Sequence, residues 1–90
     1  MSAEFDERVM TVPLRDVLAS TKTDRADKAM NLVRSHLAQH FNVDEDAVRM
    51  DPSINEEIWA RGRANPPRKL RVRAARFEEA GEAVVEAETA

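Results

Sequence analysis

Two consecutive prolines, Pro66 and Pro67, divide the most informative stretch of the sequence into a helical part and an extended part. Neither proline can donate a backbone hydrogen bond, and Pro66 pushes the preceding residue, Asn65, out of the helical region. A helix before the prolines must therefore end by Asn65, and a strand can begin only after Pro67. We expect the connection between the two to be rigid.

The residues before the prolines have the spacing of a short helix. Ser53 and Glu56 fit a capping box, in which the hydroxyl and the carboxylate each accept a hydrogen bond from a free backbone N–H at the helix start. Ile54 and Ile58 lie about one turn apart and are expected to face the core. Gly62 is expected to supply the left-handed residue that ends the helix.

The residues after the prolines alternate with a period of two, which is typical of a strand with one buried face. The apolar members of the alternation are Leu70, Val72 and Ala74. The basic members, on the opposite face, are Lys69, Arg71 and Arg73. The pattern predicts a strand that packs on one side and is positively charged on the other.

Basic residues are concentrated in the same stretch. No Asp or Glu occurs between Ile58 and Phe77, although the chain as a whole is acidic, with a formal net charge of −3. A solvated strand face is the ordinary explanation of such alternation, but a run of cations without an intervening acid favours contact with a polyanion, RNA or DNA. We predict that the contacting cations are Arg61, Arg63, Arg68, Lys69, Arg71, Arg73 and Arg76.

Two segments with clear periodicity precede this stretch. Residues 7–14 are rich in β-branched side chains that alternate as in a strand, and Pro13 favours an edge position or a strand end. Residues 24–41 are predicted to form the long helix, with Asp24 as its cap. One face of this helix is expected to contact the core: Ala26, Ala29, Met30, Val33, Leu37 and Phe41.

The C-terminal part of the sequence predicts a hairpin. Residues 70–77 and 82–88 both alternate, and Gly81 between them can adopt a positive φ. The resulting order, β-α-α-β-β, predicts an α+β fold in which a small mixed three-stranded sheet carries one long and one short helix. We expect the first strand to pair parallel to a later strand and the last two strands to pair antiparallel.

The length of the chain is that of a single domain, residues 1–90. The first six residues are expected to be loose, and residues 77–90 to form an acidic C-terminal hairpin. No apolar run is long enough to span a bilayer, and the N-terminus lacks the features of a signal peptide. We therefore expect a cytoplasmic protein that does not enter a membrane.

Several kinds of site are not expected. The absence of Cys excludes disulfides and thiolate ligands or nucleophiles. His36 and His40 have a spacing that could hold one metal ion, but no third ligand lies nearby, so we expect no metal site. With two glycines and no phosphate-binding loop or nucleophile motif, we expect neither an enzyme nor a cofactor. A small DNA-binding module stays an alternative, although the cations lie mostly on a strand and a turn and not along one helix face.

Three runs of the sequence together resemble a known family: RADKAMNLVRSHLAQHF at residues 25–41, DPSINEEIWARG at 51–62 and NPPRKLRVRAAR at 65–76. They are similar to ribosomal protein thirty-one of the archaeal and eukaryotic large subunit. The resemblance implies a non-catalytic structural protein that binds large-subunit rRNA at the rim of the polypeptide exit tunnel. It also implies contacts with neighbouring ribosomal proteins and proximity to nascent-chain factors; no homo-oligomer is expected.

The resemblance assigns roles to the residues that match its motifs. The cations and Asn65 at the helix end, turn and strand are implied to contact rRNA, the cations through phosphates and sugars. Gly62, Pro66 and Pro67 are implied to shape the backbone. Trp59 is implied to pack beneath the basic surface, which agrees with the general tendency of a lone Trp beside an Ile to belong to a core and not to a base-stacking platform.

The acidity of the chain departs from the basic composition of most ribosomal proteins. Eleven Arg accompany only three Lys, and no cation follows Arg76. A salt-rich cytoplasm explains this bias, so we predict that the chain comes from a halophilic archaeon. At molar salt the Debye length falls to roughly 3 Å, and short bidentate Arg contacts would have to carry RNA binding.

Overall fold

Residues 6–90 are described by a computed structural model, in which two α-helices and four β-strands follow one another along the chain. Turns of 3-10 helix lie at Arg15–Ala19, Lys22–Asp24 and Glu45–Ala47. The predicted loose segment of residues 1–6 lies outside the described residues, except for Asp6. In chain order the helices and strands are β1 (Asp6–Pro13), α1 (Arg25–Phe41), β2 (Val48–Met50), α2 (Pro52–Trp59), β3 (Lys69–Glu79) and β4 (Glu82–Thr89).

The strands form one sheet in the order β1-β3-β4-β2. The predicted α+β class with a mixed sheet and two helices is confirmed, but the sheet has four strands instead of three. The additional strand, β2, is only three residues long, which is too short for its alternation to be recognised within an acidic connection. β2 pairs parallel with β4, and the other two pairs of strands are antiparallel.

The predicted parallel pairing of β1 is wrong, because β1 pairs antiparallel with β3. The chain leaves β1 and enters β3 at the same end of the sheet, where Pro13 lies opposite Lys69. Just beyond this pair, the backbone N–H of Leu14 donates to the carbonyl of Arg68 at 2.7 Å. The long connection through both helices therefore brings the chain back to the end of β1 that it left. β3 then runs in the direction opposite to β1.

The predicted hairpin of β3 and β4 is confirmed. β3 runs two residues further than predicted, so the turn contains only Ala80 and Gly81. Both residues have positive φ, 53° and 84°, which is the geometry of a two-residue turn that matches the twist of the flanking strands.

Both helices pack on one face of the sheet, and the core lies between the helices and that face. The alternation predicted for β3 is confirmed, since Leu70, Val72 and Ala74 are all buried. α1 buries five of the six predicted residues; Met30 is half-buried, and Ala38 is buried in addition. The other face of the sheet carries no helix, so the basic members of β3 lie on an open surface.

The caps of both helices differ from the prediction. α2 begins at Pro52, and the carboxylate of Asp51 accepts a hydrogen bond from the Ser53 backbone N–H at 2.9 Å. Proline suits the first helical position, so the helix starts one residue before the predicted capping box. The Ser53 hydroxyl oxygen instead accepts from the N–H of Thr89 in β4 at 3.1 Å. Asp24 does precede α1, but its carboxylate accepts from the Thr21 hydroxyl and not from the helix backbone.

Candidate nucleic-acid interface

The loop between α2 and β3, residues 60–68, determines where the predicted contact residues lie. Gly62 has φ +96°, as predicted, and its N–H donates to the Trp59 carbonyl at 2.9 Å. Asn65 holds the next turn, because its N–H donates to the Gly62 carbonyl at 3.2 Å and its side-chain amide to the Arg61 carbonyl at 3.4 Å. Pro66 is buried, so the loop is packed against the domain.

The start of α1 anchors this loop. The N–H of Ala26 donates to the Arg63 carbonyl at 3.2 Å, which satisfies a free N–H of the first helical turn. The guanidinium of Arg25 donates to three carbonyls, those of Leu18 at 3.0 Å, Ser20 at 3.2 Å and Ala64 at 3.2 Å. Arg25 thereby connects three segments, and it was missed as a key residue from the sequence. A cation in the first turn of a helix interacts unfavourably with the helix dipole. This position was the one signal in the sequence that Arg25 has another role.

Three predicted cations meet at one place. Arg61, Arg68 and Lys69 line a shallow concavity between the end of α2 and the start of β3, together with the carboxylate-bearing Glu57. Arg71 follows two residues further along the open face of β3. Among residues 6–90, the side chains of these four cations form no ion pair or hydrogen bond. With Arg63 they form what we call the basic end: Arg61, Arg63, Arg68, Lys69 and Arg71.

Arg63 lies over the indole of Trp59, with its guanidinium carbon 5.4 Å from the ring centroid. This distance is within the range of a cation–π interaction. Trp59 is half-buried and packs against the core cluster, whereas Arg63 is exposed. Trp59 therefore connects the core to Arg63 through the cation–π contact.

Arg73 and Arg76 were predicted to join this surface, but they are placed differently. Arg73 shares the open face with Arg71, yet its Nε is 3.8 Å from a Glu7 oxygen and its Nη1 3.3 Å from a Glu88 oxygen. Arg76 lies opposite Val85, whose side chain is in the core, so Arg76 is on the helix side of the sheet. It is half-buried, and its Nε has no hydrogen-bond partner within the described part of the chain.

The open face beyond Arg71 is dominated by carboxylates. Arg49 in β2 contacts Glu79 at 2.6 Å and Glu86 at 3.5 Å. The hydrogen bond and the positive charge of Arg49 lower the pKa of Glu79, and the same hydrogen bond raises the pKa of Arg49. We call this region the acidic face; it consists of Glu7, Arg49, Arg73, Glu79, Glu86 and Glu88.

The two histidines of α1 do not form a metal site with other residues in the described chain, where no group of three ligands occurs. His40 Nε2 lies 3.4 Å from a guanidinium nitrogen of Arg8, and the His40 ring meets Phe41 edge-on at 5.1 Å between centroids. Neither helix within residues 6–90 has the length and apolar character needed to cross a bilayer.

The chain is similar in sequence to known proteins. The family model for ribosomal protein L31e matches residues 5–84. Large ribosomal subunit protein eL31 of Natronomonas pharaonis is 83% identical over 90 residues and covers 100% of both chains. The eL31 protein of Haloarcula marismortui is 71% identical over 89 residues, which is 99% of this chain and 97% of the relative. That of Methanosphaerula palustris is 42% identical over 79 residues, 88% of each chain.

These matches extend over nearly the whole fold, including the basic end and both helices, and they define the class: the chain is a structural ribosomal protein. It belongs to the ribosomal protein L31e family. The resemblance drawn from the three sequence motifs is therefore confirmed, as is the predicted place of action on the ribosome in the cytoplasm. The high identity to proteins of halophilic archaea supports the origin predicted from the acidic composition.

Proposed function

We propose that this chain is a structural constituent of the large ribosomal subunit and binds large-subunit rRNA through the basic end. The observation that carries the proposal is electrostatic. Within residues 6–90, four exposed cations of the basic end have no carboxylate partner and the fifth rests on an indole, although the chain is acidic overall. Cations left unpaired on an acidic protein are available for an external anion.

The anchored loop and β3 determine how these cations would meet RNA. Arg61, Arg68 and Lys69 come together around one concavity, and Arg71 extends the surface along the strand. Phosphate and sugar contacts of this kind fix the position of a protein on RNA but carry no sequence information. The specificity would then come from the shape of the folded rRNA, with the rigid loop matching that shape.

We assign Gly62 and the two prolines to the geometry of this loop. Asn65 is proposed both to hold the loop and to contact rRNA. Arg73 and Arg76 are also proposed as rRNA contacts, but with smaller contributions than the basic end. Arg73 would have to exchange its contacts with Glu7 and Glu88 for a phosphate, and Arg76 is half-buried on the helix side. Loss of the existing ion pairs would offset part of any gain from RNA.

The position on the subunit is a further part of the proposal. The family resemblance supports a site at the rim of the polypeptide exit tunnel, next to other large-subunit proteins and near nascent-chain factors. The acidic face lies further along the same sheet than the basic end, so it could remain accessible when the basic end contacts rRNA. No catalytic step, cofactor or membrane contact is part of this function.

The alternative of a DNA-binding module has weaker support from the geometry. Its recognition helix would be α2, but this helix has eight residues and buries Ile54 and Ile58. Its exposed side chains include no Lys or Arg, so the helix itself offers no cation to DNA phosphates. A gel shift at matched salt discriminates the two functions, since the proposal expects a preference for large-subunit rRNA over duplex DNA.

The direct test is cosedimentation of the tagged chain with large subunits after a high-salt wash. We expect the wild type to remain bound and the double variant Arg68→Ala, Arg71→Ala to be removed by the wash. Lys28→Ala is the matched control, because Lys28 is an exposed cation of α1 outside the basic end. A wild-type chain that washes off, or a double variant that is retained like the control, would contradict the proposal.

A further inference from the structure

We propose that Arg63 and Trp59 form a stacking site for one unpaired rRNA base, with the guanidinium plane as the contact surface. The inference rests on the proposed rRNA binding and adds a contact of a different chemistry. Phosphate contacts need only a positive charge, whereas a stacking contact needs a flat group that presents its face. Arg63 is the one member of the basic end that lies over an aromatic ring within residues 6–90.

The guanidinium of Arg63 lies over an aromatic ring and is still accessible. Its central carbon is 5.4 Å from the centroid of the Trp59 ring. Trp59 is half-buried and packed against the core, which limits the orientations of its ring. Because Arg63 is exposed, its guanidinium is accessible from solvent. A base could therefore stack on it next to the indole.

The backbone around Arg63 is fixed on both sides. The Arg63 carbonyl accepts from the N–H of Ala26, and the carbonyl of the next residue, Ala64, accepts from the Arg25 guanidinium. Before it, the Gly62 N–H donates to the Trp59 carbonyl. Most of the ordering cost of this loop is thus met during folding, which favours a contact that requires a defined plane.

The chemistry of the exposed Arg63 guanidinium suits a nucleobase. A guanidinium is planar, weakly hydrated and able to stack on aromatic faces, unlike the strongly hydrated ammonium of Lys. Sequence-specific RNA recognition commonly uses unpaired bases that stack on aromatic or arginine planes. In the described chain, Arg63 has no carboxylate partner that would compete for its plane. Arg61, two residues earlier, could hold the phosphate of the same nucleotide.

The test compares Arg63→Lys with the matched control Arg15→Lys, at an exposed arginine outside the basic end, in binding to full-length large-subunit rRNA over a series of KCl concentrations. Both variants keep the charge, so the slope of log affinity against log salt should stay unchanged in both. Arg63→Lys should weaken binding about 5- to 150-fold, the range expected for the loss of one stacked base. Arg15→Lys should bind like the wild type, because Arg15 is not part of the basic end.

A second measurement does not depend on a variant. Ultraviolet irradiation of the wild-type complex should produce a base crosslink within residues 59–63, identified by mass spectrometry of the digested protein. Equal affinities of the two Lys variants, or crosslinks confined to other segments, would overturn the stacking site while leaving phosphate binding intact. Failure of the wild type to bind rRNA at all would overturn the proposed function and the stacking site together.

Discussion

Arg71 and Arg73 lie two residues apart on the same face of the same strand, yet they belong to different regions of the molecule. Arg71, in the basic end, is opposite Thr11 of β1, and its side chain has no carboxylate partner within residues 6–90. Arg73, in the acidic face, is opposite Glu88 of β4 and also contacts Glu7 of β1. The comparison teaches that the register of the neighbouring strands, and not the run of cations along the chain, decides which arginine is free to bind an anion.

The same comparison explains how an acidic ribosomal protein can keep a cationic surface. The carboxylates of the C-terminal hairpin are brought by pairing onto the part of the sheet that follows Arg73. The loop of residues 60–68 lies beyond the end of β1 and carries no carboxylate of its own. Positive and negative charges that are mixed in overall composition are thus separated in space, and each region can be tested by itself.

The largest expected effect comes from Arg25→Ala, which removes the anchor of the basic end. Three hydrogen bonds from one cation to backbone carbonyls are lost, and the free energy of unfolding should fall by about 2–4 kcal/mol. Urea denaturation in molar KCl measures this value. Lys28→Ala, one turn along α1 and exposed, should change it by about 0.5 kcal/mol or less. Equal stabilities of the two variants would show that the loop is held by other contacts.

The second prediction compares Arg71→Ala with Arg73→Ala in rRNA binding. If the five cations of the basic end each neutralise one phosphate, the wild-type slope of log affinity against log salt should be about −4. Arg71→Ala should reduce the size of this slope by about 0.7–0.9, whereas Arg73→Ala should reduce it by less than half as much. Filter binding over a range of KCl concentrations determines both slopes. A larger change for Arg73→Ala would mean that RNA displaces Glu7 and Glu88.

The sequence predicted the elements whose pattern is repeated many times. α1 shows its apolar face over 17 residues and β3 alternates over several, so both were found with nearly correct ends. β2 has three residues and was missed, and the parallel pairing was assigned to β1 as a result. The α2 cap was misplaced because two capping patterns overlap, one at Asp51-Pro52 and one at Ser53.

The candidate site was predictable in composition but not in grouping. The absence of acids between Ile58 and Phe77 singled out the cations as a set, and their contact with rRNA stays a prediction. Their separation depends on strand register, which pairs Arg73 with Glu88 across fifteen positions of sequence. The anchoring role of Arg25 depends on a contact with Ala64 across thirty-nine positions. Contacts between residues so far apart in sequence leave no local pattern. Both contacts could be found only once the strands and the loop were placed.

A smaller effect is expected from the cap of α2, where Asp51 borders the acidic face. The Ser53 backbone N–H holds the pKa of Asp51 below its usual range, so the folded state favours the carboxylate. This contribution to stability is complete above the pKa of Asp in the unfolded chain, about 3.9, and is lost as the pH falls through the lowered folded value. Asp51→Asn retains a capping oxygen but cannot titrate, so it should lower the unfolding temperature only slightly at pH 7. Thermal unfolding in molar KCl between pH 7 and pH 3 should show a weaker acid destabilisation for Asp51→Asn than for the wild type; parallel curves would contradict the role of this carboxylate.

The smallest effect is expected within the acidic face, from Arg49→Ala. Arg49, Glu79 and Glu86 are all about half exposed, so their ion pairs should be largely screened at molar KCl and contribute little to stability. The unfolding temperature of Arg49→Ala should match that of the wild type in molar KCl and fall measurably below it only at low salt, where the remaining carboxylates repel one another. An equal loss at both salt concentrations would point to packing instead of charge. Packing is a real alternative because Val84 is buried on the helix-free face of the sheet, two residues from Glu86, which pairs with Arg49.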